Sequence, residues 1–92
     1  MTSAGSIEFD PEPARQLARL SEPLRQHLAT ELRRLLRSPG TESTRPGEFY
    51  PPGRKFEVQT SYEGMDVFID IIFKCSADEI TLIITYVNIE IA

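Results

Sequence analysis

IEFDPEPARQLARLSEPLRQHLATELRRLLRSP, residues 7–39, is the stretch that decides the fold of this chain. It begins inside an alternating segment, SIEF at 6–9, which predicts a short strand. Two helix starts follow, because Asp10 and Ser21 are good N-cap residues and each precedes a proline within the first helical turn. The second helix is predicted to end at residues 38–40, Ser-Pro-Gly, since proline cannot continue a helix and glycine permits a left-handed turn.

Leucines recur at helical spacing in both predicted helices. Leu17 and Leu20 share one side of the first helix, and Arg15 and Arg19 lie on the opposite side. The stripe on the second helix consists of Leu24, Leu28, Leu32, Leu35 and Leu36. The pattern predicts a helical hairpin with one shared leucine face. The arginines off this face would either contact a partner or remain solvated, with their stems covering leucine.

Residues 39–53, PGTESTRPGEFYPPG, are rich in proline and glycine and are predicted to form a long loop. A loop of this length in a small domain is typical of a mobile or binding segment. Phe49 and Tyr50 depart from the polar composition and are expected to pin the loop to the body of the domain.

Three strands are predicted after the loop. RKFEVQT at 54–60 alternates and indicates a half-buried strand, whereas VFIDIIFK at 67–74 and the start of ITLIITYVNIEIA at 80–92 are apolar on both faces. The order is therefore β-α-α-β-β-β, which predicts a two-layer α+β domain. In this arrangement the helical hairpin packs on one face of a four-stranded, mainly antiparallel sheet. The two apolar strands should be interior, which places the first strand beside the fourth.

Composition limits the classes of protein that the chain can represent. Its 92 residues suffice for one small domain, predicted over 1–92 with a flexible start at 1–5. The beginning of the chain does not look like a signal peptide, no apolar run is long enough to cross a membrane, and the lone Cys75 fits a reducing cytoplasm. Residues 47–92 carry three cations against eight acids, which argues against nucleic-acid binding by the whole surface. Small domains bury a limited share of their surface, so a homodimer is plausible.

Residues 7–39 resemble the RelE/ParE toxin superfamily of bacterial toxin–antitoxin systems. They are similar to the opening strand of that family, to its first helix F-x-P-E-A-x-x-x-L-x-x-L, and to its second helix L-x-x-x-I-x-x-x-L-x-x-L-x-x-x-P. The resemblance covers nearly the whole chain in outline. It implies a RelE-like fold and an antitoxin protein as partner, with RNA on the ribosome or gyrase as a possible target.

The resemblance also implies candidate catalytic residues. Ribonucleases of the family hold and polarise the scissile phosphate with basic residues on the sheet, and Arg54 and Lys55 match those at the start of the second strand. Lys74 is a weaker match, and Tyr86 is a candidate general acid or stacking platform. The last strand departs from the family pattern, since it reads YVNIEIA and carries Glu90 where a phosphate needs a positive charge.

Structural interpretations stand beside these functional ones. Arg54 and Lys55 are also consistent with cations that keep a sheet edge soluble. As consecutive residues of a strand, their side chains point to opposite faces. Tyr86 also fits a packing aromatic, and Asp70 would either face solvent or pair with one of the two cations.

Three functions therefore remain open at the level of sequence: an antitoxin-controlled ribonuclease, a gyrase-inhibiting toxin, and a non-catalytic interaction module that forms a homodimer. His27 stands alone on the second helix, away from the leucine stripe, so we expect no metal site. We expect no cofactor either.

Overall fold

The computed structural model describes residues 4–45, 53–78 and 80–92. The elements in these ranges are β1 (Ser6–Phe9), α1 (Pro11–Ala18), α2 (Glu22–Arg37), α3 (Pro39–Glu42), β2 (Arg54–Tyr62), β3 (Met65–Cys75) and β4 (Thr81–Ile91). The predicted α+β class is confirmed. The predicted loop at 39–53 is wrong in its first part, because a short helix, α3, occupies it. Phe49 and Tyr50 lie outside the described residues, and the rest of this prediction with them.

The helix starts lie where the sequence places them. Asp10 and Ser21 have extended backbone conformations at the N-cap positions, and a proline lies in the first turn of each helix. Neither N-cap side chain makes a capping hydrogen bond. The preset backbone angle of proline therefore accounts for these starts better than side-chain capping does.

The described strands form one mixed sheet in the order β1-β4-β3-β2. β1 runs parallel to β4, and the other two neighbouring pairs are antiparallel. This order confirms that β3 and β4 are interior and that β1 lies beside β4. A register shift between Ile72 and Phe73 marks an irregularity in the pairing of β3 with β4. The two central strands carry apolar residues on both faces because each has a neighbour on both sides.

The leucine stripe of the helices covers one face of the sheet. Leu35 is fully buried, and Leu17, Leu24, Leu28 and Leu32 are nearly so. They join one apolar core with residues of the sheet, among them Phe56, Ile69, Ile71, Phe73, Leu82 and Ile84. Burial of apolar side chains at this interface stabilises the two layers and confirms the predicted packing.

α3 ties the end of α2 to the start of β2. The Glu42 carboxylate lies 3.2 Å from Arg34 Nε, and the Arg34 guanidinium lies 5.8 Å from the centre of the Phe56 ring. Thr44 and Lys55 exchange two backbone hydrogen bonds directly after α3. Local composition favours a loop here, but the buried Pro39 and these long-range contacts hold the segment in a helical turn.

The start of the described chain is also hydrogen-bonded. The Ala4 N–H donates to the Leu36 carbonyl at 2.8 Å, and the Gly5 N–H donates to the Ile80 carbonyl at 2.7 Å. These bonds connect the residues before β1 to both layers of the domain.

Candidate functional site

The sheet register separates the two predicted cationic site residues. Phe56 and Val58 are buried beneath the helices, so Arg54 shares the helix-covered face of β2. Lys55 pairs with Ile72 and lies on the opposite side, which we call the open face. The open face includes Lys55, Glu57, Asp70, Ile72, Tyr86 and Asn88. The two cations therefore cannot converge on one ligand, as their alternation in the sequence indicates.

Arg54 is held by α3 and the residue that follows it. Its Nε donates to Ser43 Oγ at 2.7 Å, and one terminal nitrogen donates to the Ser43 carbonyl at 2.9 Å and the Gly40 carbonyl at 3.2 Å. Ser43 is itself buried and donates its hydroxyl to the Pro39 carbonyl. The Arg54 guanidinium therefore satisfies carbonyl groups at the end of a short helix, which is a structural task.

Lys55 and Tyr86 lie on the open face, on either side of Ile72. Both are direct cross-strand neighbours of Ile72, one on β2 and the other on β4. Ile72 is fully buried between them, and Tyr86 is 37% exposed. Lys55 Nζ lies 2.9 Å from Glu57 Oε1 on the same strand. The structure thus brings two of the three predicted catalytic residues to one place and leaves Arg54 on the other face.

Acidic groups dominate the surroundings of Lys55 and Tyr86. Glu57 stands directly opposite Asp70, and Asp70 stands opposite Asn88 on the next strand. The register places Asp70 on the face opposite Arg54, so it cannot pair with that cation across the two strands. Among the described residues of this face, the further acids Glu8, Asp66 and Glu90 outnumber the cations Lys55 and Lys74. A polyanion meets unfavourable electrostatics here.

Replacing Arg54 by alanine is expected to lower the free energy of unfolding by about 1–3 kcal/mol, because the buried Ser43 and two carbonyls lose their charged donor. The matched control is Lys74→Ala on β3, an exposed cation whose loss should change stability by no more than about 0.5 kcal/mol. Urea denaturation of the purified variants measures both values. Equal stabilities for the two variants would contradict the structural role of Arg54.

A groove opens between α1, α2 and the end of β1, with a volume of about 310 Å³. Its buried lining consists of Leu17, Leu28 and Leu32, and Phe9, 40% exposed, closes one end. Its exposed lining consists of Ala14, Ala18, Ala29 and Arg25. The alanines leave the groove open because their side chains are too short to fill the space between the helices.

The spacing of small residues in the sequence indicates this groove. Ala14 and Ala18 lie one turn apart on α1, and Ala29 lies one turn beyond Arg25 on α2. Small residues next to a leucine stripe, at helical spacing on two adjacent helices, indicate a gap between them.

The helical layer that forms the groove has a net positive charge. Residues 11–37 contain six arginines against three glutamates. Arg33 lies one turn beyond Ala29, and its guanidinium donates to Thr30 Oγ1 at 3.2 Å. On α1, the hydrogen bond from Arg15 to Glu12 and the charge of that arginine hold the pKa of the Glu12 carboxyl below its ordinary value. Arg25, which lines the groove, is paired with Glu22 on the same helix, so the groove combines an apolar floor with a helical layer of net positive charge.

Other site types find little support in the described ranges. They contain no group of three or more His, Cys, Asp or Glu side chains placed to hold a metal ion. His27 lies 3.8 Å from Glu31 on α2, and Cys75 is half-buried at the end of β3. No helix in the described part of the chain is long and apolar enough to cross a bilayer.

Comparison with protein-family models, with curated proteins and with solved structures finds no match to this chain. The fold and the groove define it as a small α+β domain with an apolar groove on its helical layer.

Proposed function

We propose that this chain is a RelE/ParE-like toxin-family protein of the cytoplasm that acts by binding another protein rather than by cutting RNA. The helix patterns of residues 7–39 support the family. The observed element order, β-α-α-α-β-β-β, also agrees with it apart from the short α3. The protein partner that follows from this assignment is an antitoxin.

The groove on the helical layer is the observation that carries the proposal. Its floor of Leu17, Leu28 and Leu32 suits the apolar face of a helix, which binds such channels through residues at i, i+3, i+4 and i+7. Arg25 lines the groove and is paired with Glu22. The net positive charge of residues 11–37 complements carboxylates on the bound helix. The occupant is therefore an amphipathic helical segment of a partner, with leucines on one face and acidic residues beside them.

The arrangement of the predicted catalytic residues supports binding over cleavage. Cleavage of RNA by a 2′-hydroxyl needs a base, an acid and cations around one phosphate. Arg54 is used to hold Ser43 and Gly40 on the helix-covered face. Lys55 lies beside Glu57, on a face where acids outnumber cations among the described residues.

A labelled synthetic helix tests the groove. The probe has leucines at i, i+3, i+4 and i+7 flanked by glutamates, and fluorescence anisotropy measures its affinity for the purified chain. Ala29→Glu places bulk and negative charge in the groove, so we expect the affinity to fall at least about tenfold, or about 1.4 kcal/mol. Gln26→Glu, an exposed position of α2 outside the groove lining, introduces the same charge and should leave the affinity unchanged.

The same probe with lysines in place of glutamates should bind at least about tenfold more weakly, because residues 11–37 carry a net positive charge. The proposal fails if Ala29→Glu binds the acidic helix as tightly as the wild-type chain does.

A ribonuclease is a second candidate function. It is favoured because Lys55 and Tyr86 lie on the same face of the sheet, on either side of Ile72. Addition of the purified chain to a bacterial translation extract, followed by mapping of mRNA ends, tests it. Codon-dependent cuts that disappear in Lys55→Ala and Tyr86→Phe but persist in Lys74→Ala would establish cleavage. We expect no such cuts. Growth arrest on expression, accompanied by DNA-damage signalling, would instead indicate gyrase.

A further inference from the structure

The second half of β4 is an unpaired edge of the described sheet. β1 accompanies β4 only as far as Ile84, whose carbonyl accepts the Asp10 N–H at 2.9 Å, and the chain then turns into α1. Asp66 and Ala92 exchange backbone hydrogen bonds at 2.9 and 2.8 Å, which fixes the alternation of bonds between β3 and β4. Val87, Ile89 and Ile91 therefore direct their backbone N–H and C=O groups away from β3.

This edge lacks the protection that the opposite edge has. On β2, Lys55 exchanges hydrogen bonds with Thr44, and the outward positions beyond it are Glu57, Gln59 and Ser61. Charged and polar residues of this kind discourage pairing with another strand. On β4 the outward positions Val87, Ile89 and Ile91 are all apolar; the Val87 side chain is buried in the core, Ile89 is half-buried and Ile91 is exposed. An apolar edge strand is a template for pairing, so the two edges of this sheet differ in what they accept.

A hollow lies next to the β4 edge. Its volume is about 300 Å³, and Leu20 of α1 and Val87 and Ile89 of β4 contribute its apolar lining. Gln16, Arg19 and Asn88 form the remainder. Ile91, at the end of the same strand, is 56% exposed. The edge thus presents a partly apolar hollow and, on the same strand, the exposed apolar side chain of Ile91.

We propose that a second copy of this chain pairs its β4 antiparallel with this edge, around a twofold axis at Ile89. Ile89 then stands opposite Ile89 of the partner subunit, and Val87 stands opposite Ile91 of the partner subunit. The partner's Ile91 enters the hollow beside Val87 and Leu20, and the reciprocal contact forms on the other side of the axis. The sheets of the two subunits become continuous. This surface is separate from the groove, so the inference does not depend on the proposed function.

The polar side chains of the edge agree with this register. Asn88 stands opposite Glu90 of the partner subunit, so an amide donor meets a carboxylate. Within one chain the Asn88 amide already donates to Glu90 Oε1 at 3.3 Å. A twofold axis at Glu90 would oppose two carboxylates, which is unfavourable. An axis at Asn88 would place Ala92 against Ile84, where β1 is already paired.

Cysteine cross-linking tests the register directly. Residues that face each other in a hydrogen-bonded antiparallel pair have Cα atoms about 5.5 Å apart, within the range that a disulfide spans. In a Cys75→Ser background, Ile89→Cys is expected to give a disulfide-linked dimer under mild oxidation. Gln59→Cys, the corresponding outward position on β2, should remain monomeric on a non-reducing gel. The opposite pattern, with Gln59→Cys linked and Ile89→Cys not, would overturn the proposal.

Light scattering after size exclusion measures the association without any cross-link. The wild-type chain should have the mass of a dimer. Ile89→Pro removes an N–H that points away from β3, so it should abolish the dimer, whereas Gln59→Pro does the same on β2 and should retain it. If circular dichroism shows that Ile89→Pro is unfolded, Ile91→Lys replaces it, since an exposed position tolerates lysine. A monomeric wild-type chain would refute the pairing, and so would a dimer that persists in Ile91→Lys. A complex in which a different protein binds the β4 edge would also refute it.

Discussion

Leu35→Ala is expected to lower the free energy of unfolding by about 2–5 kcal/mol. Leu35 is fully buried in the last turn of α2, where the helical layer meets the sheet. Truncation removes apolar contact from both layers and leaves a cavity, because the fixed separation of helix and sheet prevents the site from collapsing. Chemical denaturation followed by circular dichroism measures the loss.

Met65→Ala provides the matched control, since Met65 is 44% exposed at the start of β3. Its replacement should change stability by less than about 1 kcal/mol. A loss for Leu35→Ala no larger than that for Met65→Ala would contradict the packing of α2 on the sheet. An effect of several kcal/mol is a large part of the stability of a small domain, so the Leu35 variant is also expected to be poorly folded at growth temperature.

Gly53→Ala is expected to lower the free energy of unfolding by about 2–4 kcal/mol, from backbone strain and steric overlap together. Gly53 has a φ of +139°, and a Cβ at this position would lie 2.5 Å from the Phe73 carbonyl oxygen. That oxygen belongs to the backbone of an interior strand, so it cannot move without disturbing the sheet. The start of β2 therefore requires a residue without a side chain.

Gly64→Ala separates the two causes. Gly64 has a φ of +79°, but no atom lies within 4 Å of a Cβ built there. Its replacement should cost only the strain of the left-handed backbone, about 1–2 kcal/mol. Thermal and urea unfolding of both variants give the comparison. If Gly53→Ala is no less stable than Gly64→Ala, the close approach of residue 53 to β3 is not present in solution.

Much of the fold could be predicted from local patterns in the sequence. The leucine spacing of α2 predicts its buried face, and Leu28, Leu32 and Leu35 are indeed buried. Two-sided apolarity predicts that β3 and β4 are interior, because flanking strands bury central residues such as Ile72 even on the face that the helices leave open. α3 could not be predicted in this way. Pro39 and Gly40 indicate a break, and contacts with distant residues, among them Arg34 and Arg54, help to hold the segment as a helix.

Less of the candidate site than of the fold could be predicted from the sequence. Alternation predicts that Arg54 and Lys55 point to opposite faces, which the register confirms. The roles of the two differ because Ser43 and Gly40, which lie outside β2, bind Arg54, whereas Glu57 of β2 itself contacts Lys55. The groove was missed because leucine spacing reports which residues are buried and does not report the distance between two helices. The alanines at its border were the only local sign.

By itself the sequence determined the order of the elements, the buried faces of the helices and the adjacency of the strands. These follow from periodicity and from the limits that proline and glycine place on the backbone, which act over a few residues. The tertiary structure alone decided that Arg54 supports α3 and that Lys55 and Tyr86 flank Ile72. It also decided that the second half of β4 has no neighbour beyond β3 among the described strands. Each of these depends on groups brought together from distant parts of the chain, and packing, rather than local preference, sets their distances.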